Sequence, residues 1–211
     1  MEEYNAAVKE NDKNGEDVYL TIQGTEGNPI IFGTKNTDAD TLADNSAQYD
    51  TFALTNTQSR AKPPKLHLTL EWCEFYGNTA NDQRNSSFMY LPNCQSLTID
   101  NCKFDTGTSR LKYGINWNLV GVQDTAVKIT NSTFEGTYTS NAIKLTQRGG
   151  EGDSKGANET FAGVPGTISS VEITGCTFSD SAKVAFGTQA KEVAFEGGTA
   201  DVNVANLSTG S

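Results

Sequence analysis

Four segments of the chain can be laid over one another residue by residue: Leu68 to Phe75 (LTLEWCEF), Leu97 to Phe104 (LTIDNCKF), Val127 to Phe134 (VKITNSTF) and Val171 to Phe178 (VEITGCTF). A short strand, turn, strand unit that recurs in one chain cannot bury its apolar face alone, so its copies must stack. In each copy two apolar residues sit two apart; a polar residue and a turn residue follow, and then a Cys or Ser and a Phe again sit two apart. That is strand periodicity, not helix periodicity. The turn position holds Asn101, Asn131 and Gly175, types that adopt a left-handed backbone at low steric cost, whereas Trp72 breaks the rule in the first copy. Stacked in register, the copies would align Leu/Val, Leu/Ile, Cys/Ser and Phe into interior rows about 4.8 Å apart.

A third strand per coil is expected between copies, at Phe88 to Leu91, Gly114 to Trp117, Ala142 to Leu145 and Val184 to Phe186. The last leads into Val193-Ala194-Phe195-Glu196-Gly197, expected to be a fifth, weaker copy one coil further on. Residues 147–166 are Gly-rich and polar, which predicts a loop insertion. Before Leu66 the pattern blurs: Val18 to Gly24, Ile30 to Phe32 and Phe52 to Leu54 look like strands of an atypical first coil or two. The charged stretch from Met1 to Asp17 is expected to include a short capping helix, since an open sheet end must be protected from pairing.

These L-x-I-x-N-C-x-F copies resemble the coils of the right-handed parallel β-helix superfamily, often called pectate-lyase-like. The resemblance implies an all-β fold, a right-handed parallel β-helix solenoid with an atypical capped N-terminal part and loop insertions. It implies one domain over residues 1–211, irregular over 1–65 and with regular coils over 66–206. It does not imply an activity, because the scaffold serves lyases, hydrolases, adhesins and viral tail or capsid proteins.

Charge narrows the choice. A formal net charge of -10 supplies no basic stripe for phosphates, which argues against a nucleic-acid partner. No apolar run of about 18 residues and no basic amphipathic helix stands out, so no membrane partner is expected. Cys73, Cys102 and Cys176 share one repeat position with Ser132 and read as small interior residues with free thiols. Cys94 is also expected to be buried. Free thiols, and a start (Met1-Glu2-Glu3-Tyr4-Asn5) unlike a secretory leader, lead to the expectation of synthesis in a reducing compartment. The N-x-S/T triplets at Asn85, Asn131, Asn158 and Asn206 read as chance in a chain rich in these residues.

Catalytic chemistry is harder to find. Glu71 and Asp100 share a repeat position and should stack about one strand spacing apart, closer than the roughly 6.5–9.5 Å of an inverting glycosidase pair. Asp105 and Asp124 read as loop acids. His67, between Leu66 and Leu68, reads as an outward structural histidine. No cluster has metal-ligand spacing, and no cofactor is expected. The segment Arg110-Leu111-Lys112-Tyr113 is similar to the basic substrate-contacting motifs of the lyase members, without the paired Asp and Gly-His-Gly segments of the polygalacturonases.

Binding is the better expectation. Arg110, Lys112, Tyr113 and Trp117, extended by Arg148, form the candidate face for a protein partner in an assembly or for surface glycans, since an aromatic beside hydrogen-bonding groups can stack on a sugar or anchor a protein. The competing reading turns Ile115 and Trp117 inward to the core. The expected function is a non-catalytic structural or interaction β-helix, most simply a phage virion component (capsid decoration or tail-associated) assembled in the host cytoplasm. The alternatives are an extracellular or cell-surface adhesin and a polysaccharide lyase or hydrolase. A homo-oligomer is compatible with any of these.

Overall fold

Alternation of apolar and polar residues becomes three stacks of strands wound around one axis. The computed structural model describes residues 17–33, 52–53, 65–77, 87–91, 94–120, 124–148, 168–188 and 191–205. The expected capping helix, the insertion beyond Arg148, and Asn85, Asn158 and Asn206 lie outside the described residues.

On the first face β1 (Asp17–Gln23), β4 (Lys65–Glu71), β7 (Cys94–Asp100), β9 (Thr125–Thr130) and the start of β11 (Ile168–Thr188) pair in that order, all parallel. The second face stacks β2 (Ile30–Phe32), β5 (Cys73–Tyr76), β8 (Lys103–Val120), β10 (Thr133–Arg148) and the middle of β11. The third begins with β3 (Phe52–Ala53) and β6 (Ser87–Leu91) and continues through the later parts of β8, β10 and β11. The long strands bend around the corner between the second and third faces, where the β8–β10 register shifts near Thr137 and again before Asn141. The described chain is thus all-β, a nearly closed, solenoid-like arrangement of parallel strands. The expected third strands are present, with Met89, Ile115 and Ile143 in one row and Leu91, Trp117 and Leu145 in the next. The blurred N-terminal region supplies one strand to each face.

The interior is made of the aligned rows. Leu68, Leu97, Val127 and Val171 form one and Leu70, Ile99, Ile129 and Ile173 another, all buried. Phe32, Phe75, Phe104, Phe134 and Phe178 stack as near-parallel rings, with successive centroids 4.6, 4.8, 4.7 and 5.1 Å apart. Phe88 closes on the stack from the third face, tilted against Phe75 and Phe104. Ring spacing close to the strand spacing lets sheet hydrogen bonding and aromatic packing be satisfied by one geometry.

The corner between the first two faces explains the rest of the motif. Asn101, Asn131 and Gly175 have φ of 51°, 50° and 65°, and Trp72 adopts the same conformation with φ 52° despite its bulk. Gly24, Trp72, Asn101 and Asn131 each donate their backbone N–H to the carbonyl before the corner of the next coil, at 2.9, 3.1, 3.2 and 3.0 Å. The residue after the corner then needs its own acceptor. The Cys73 N–H finds Cys102 Sγ at 3.4 Å, and the Cys102 N–H finds Ser132 Oγ at 3.0 Å. The same thiols and hydroxyl donate back to carbonyls two residues earlier, Glu71, Asp100, Thr130 and Thr174. This position therefore requires a small side chain that both donates and accepts, which Cys and Ser supply.

The C-terminal end departs from expectation. The segment from Val193 to Gly197 is not a further parallel copy: it lies in β12 (Lys191–Ala205), which runs antiparallel along β11 from Thr188↔Lys191 to Ser170↔Ala205. Two residues separate the strands in sequence, a hairpin-length link; a parallel return needs about a dozen.

Two stability outcomes follow from this packing. Phe104→Ala opens the middle of the ring stack and is expected to cost about 3–5 kcal/mol in chemical unfolding. Ser132→Ala deprives the buried Cys102 N–H of its acceptor and should cost about 1–3 kcal/mol, whereas Ser132→Cys, which restores the pattern of the other coils, should be close to neutral. All four cysteines are free and buried. Burial pushes the Cys94 thiol up, and the hydrogen bond with Cys73 together with burial does the same to Cys102. The hydrogen bond with Cys102 draws Cys73 the other way, downward, but all four thiols are shut off from solvent, so mass-spectrometric alkylation should modify them only once the chain is unfolded.

Candidate functional site

The expected binding residues divide between surface and core. Arg110 is exposed and Lys112 half-buried, while Tyr113 is only 8% exposed. Trp117 corrects the expectation: it is wholly buried, aligned with Leu91 and Leu145, so its ring fills the interior and offers nothing to a surface partner. Ile115 and Trp117 are two apart on β8, and their shared side is the core side. The Trp117 indole N–H has no acceptor among the described residues. Arg148 ends β10 opposite Val120 of β8, on the third face.

The structure adds a residue that sequence reasoning missed. Lys144, from the next coil, donates its Nζ to the Tyr113 hydroxyl at 3.4 Å and lies 5.2 Å from the centre of the Tyr113 ring. Lys112 Nζ lies 5.3 Å from the same centre. Two ammonium groups are thus held against one aromatic ring, an attraction of about 0.5–1 kcal/mol each at exposed sites. Arg110 stands opposite Thr137 on the same corner. The signal for Lys144 was the coil register, Tyr113↔Asn141 and Asn116↔Lys144, which no local motif contains.

The candidate acids are engaged in holding coils together. Glu71 and Asp100 are in register, as expected. Glu71 accepts from Gln23 Nε2 at 2.6 Å. Asp100 accepts three donors: Thr130 Oγ1 at 2.5 Å, Asn131 Nδ2 at 2.9 Å and Asn101 Nδ2 at 2.7 Å. A carboxylate so supplied braces the corner, and the side chain of Asn131 is used in the same bond set. Asp105 is a strand residue rather than a loop acid. It pairs with Lys103 at 3.3 Å, and Lys103 also reaches Glu135 at 2.8 Å.

Beside this pair the Tyr76 hydroxyl donates to Glu74 at 2.5 Å, and Lys103 lies over the Tyr76 ring. Burial, and then the bond to Glu74, push Tyr76 up to about 12. Tyr138, buried with its hydroxyl donating to the Phe104 carbonyl at 2.9 Å, is pushed well above its ordinary value by burial. Lys103 is raised because its ion pairs with Glu135 and Asp105 outweigh a burial effect of opposite sign. Among the described residues no group of three or more His, Cys, Asp or Glu side chains is arranged to hold a metal ion.

Fold and surface together define a class, an all-β, solenoid-like chain of parallel strands carrying a cationic, aromatic-backed corner. No protein-family model, curated protein or solved structure matches the chain.

The two tyrosines give a pH dependence with a definite sign. Tyrosines in the unfolded chain ionise near pH 10, and the folded values are higher, so the folded state favours the neutral phenols. Both contributions are complete below about pH 10; that of Tyr76 is lost as pH rises through about 12, and that of Tyr138 at higher pH than in the unfolded chain. Unfolding midpoints measured from pH 8 to 12 should fall above pH 10, and Tyr76→Phe should flatten part of that fall.

Proposed function

We propose that the chain is a right-handed parallel β-helix acting as a rigid structural or interaction module, in the setting of a virion, as a capsid-decoration or tail-associated protein. Parallel strands on three faces, joined in sequence order around a filled interior, support the β-helix reading. Right-handed winding follows the rule that about 98% of crossovers between parallel strands of one sheet have that hand. The four buried free thiols fit synthesis in a reducing compartment, such as the cytoplasm of a host cell.

The observation that carries the interaction reading is the Arg110, Lys112, Tyr113 and Lys144 corner. On a chain with net charge -10, three cations share this corner, and the Tyr113 ring limits how far two of them can wander. A preordered pair of ammonium groups suits an anionic partner, either an acidic protein surface in an assembly or a surface glycan. The stacked acids support a role other than polysaccharide cleavage, since Glu71, Asp100, Asp105 and Glu135 each bond to a neighbouring side chain.

The double variant Lys112→Gln/Lys144→Gln is expected to keep its melting temperature within a few degrees and lose at least about tenfold in affinity for purified particles or for an acidic glycan array. Undiminished binding to both would remove the corner from the interface. In parallel, release of unsaturated products or new reducing ends from uronate polymers, with and without calcium, would transfer the chain to the lyase or hydrolase reading.

A further inference from the structure

The outer side of the first face carries a row that the interaction corner does not use: Tyr19 in β1, His67 in β4 and Ser96 in β7, aligned by register. His67 Nε2 lies 3.1 Å from Asp17 Oδ1, and His67 Nδ1 lies 2.8 Å from Ser96 Oγ. Tyr19 stacks flat on the imidazole, with ring centres 4.5 Å apart and planes within 10°. The outward position expected for His67 is therefore correct, but the ring is also bonded at both nitrogens.

Chemistry fixes the protons. An ionised Asp17 only accepts, so Nε2 of the neutral ring carries the hydrogen and donates it. Nδ1 is then left with its lone pair toward Ser96, whose hydroxyl donates to it. This is the order of a carboxylate that orients a histidine and a histidine that serves as base to a hydroxyl. A second feature falls at the same place. The β4–β7 ladder pairs Leu66 with Cys94 and His67 with Ser96, so Gln95 is an extra residue, a bulge directly before Ser96. Bulges bend a strand, re-aim its side chains and concentrate next to sites of chemistry.

We propose that Ser96 is an activated nucleophile for acyl transfer, with His67 as its base and Asp17 as a positioning residue, acting on small acyl esters carried on an open surface or extended polymer. Ser96 Oγ adds to the ester carbonyl as its proton passes to His67 Nδ1. The bond to the alcohol oxygen breaks, the alcohol leaves with that proton, and an acyl-Ser96 ester remains. Water then gives a proton to His67 and its oxygen to the acyl carbon; Ser96 recovers the proton and a carboxylic acid is released. General-base assistance of this kind contributes about 10²–10⁴-fold. The backbone of Ser96 is paired on both sides, with His67 and Ala126, so the sheet supplies no evident oxyanion donors. Loss of one such donor costs about 10²–10³-fold, which makes this a slow site suited to activated or abundant esters.

The proposal does not depend on the cationic corner. It is tested by treating the full chain with a fluorophosphonate probe and with p-nitrophenyl acetate, mapping the adduct by peptide mass spectrometry, and measuring the melting temperature of every variant. A stoichiometric adduct on Ser96 is expected. Ser96→Ala should abolish it, His67→Gln should slow it at least tenfold, and Asp17→Asn should slow it while Asp17→Glu retains most of the rate. An adduct distributed over other hydroxyls, or a Ser96 adduct whose rate is the same in His67→Gln with an unchanged melting temperature, overturns the assignment.

Discussion

The hydrogen bond that each corner residue donates to the coil beside it is the constraint from which the other rows follow. It fixes the residue after an apolar pair at one height, and a left-handed φ there redirects the strand onto the second face. Once Asn101 sits over Trp72 and Asn131 over Asn101, the side chains before and after have no freedom of register. A slip of one residue would send every Leu, Ile and Phe outward. The thiol and hydroxyl row is a consequence of the same bend, because the bend removes the N–H that follows it from the ordinary ladder and leaves it buried. The cost of an unsatisfied buried N–H, about 1–3 kcal/mol, is large enough to restrict the position to side chains that can accept. Asp100 braces this corner from outside by tying Thr130 and Asn131 to its own coil.

How much of this was legible depended on whether the information was local. The two faces flanking the corner could be read directly, since an Asn or Gly between paired apolar positions states both the strand period and the turn. The third strands were legible from alternation. Trp72 was not, because nothing in its side chain favours positive φ; its neighbours impose the conformation, at a cost of roughly 1–2 kcal/mol for an L-residue. The reversal of β12 was hidden for a different reason. A period of two is blind to direction, so Val193 and Phe195 satisfy a parallel or an antiparallel partner equally well, and only the short link after Thr188 separates the two cases.

The surface sites show the same division. Arg110, Lys112 and Tyr113 lie within four consecutive residues and are visible together, but Lys144 stands 31 residues from Tyr113 and joins it only through the stack. Trp117 stands between the two readings in sequence because the bend in β8 obscures which parity faces inward, and only its row with Leu91 and Leu145 decides for the core. Asp17, His67 and Ser96 lie 50 and 29 residues apart along the chain, intervals set by the coil and not by a motif.

A stacked fold therefore generates side-chain constellations in a way that local sequence cannot advertise. Each outward row brings residues from successive coils to about 4.8 Å of one another, so a chemical group needs only one suitable residue per coil, at any interval the coils allow. Most such encounters produce braces: Gln23 with Glu71, Lys103 with Glu135, Lys128 with Glu172. A brace and a reactive group differ in what remains after the bonds are made. Asp100 has its oxygens taken by three donors, which lowers its capacity to act on anything else. In the Asp17, His67, Ser96 row each bond raises the nucleophilic character of the next group and ends on a hydroxyl oxygen. The direction of the hydrogen bonds, more than the identity of the residues, separates a row that only holds the coils together from one that can also react.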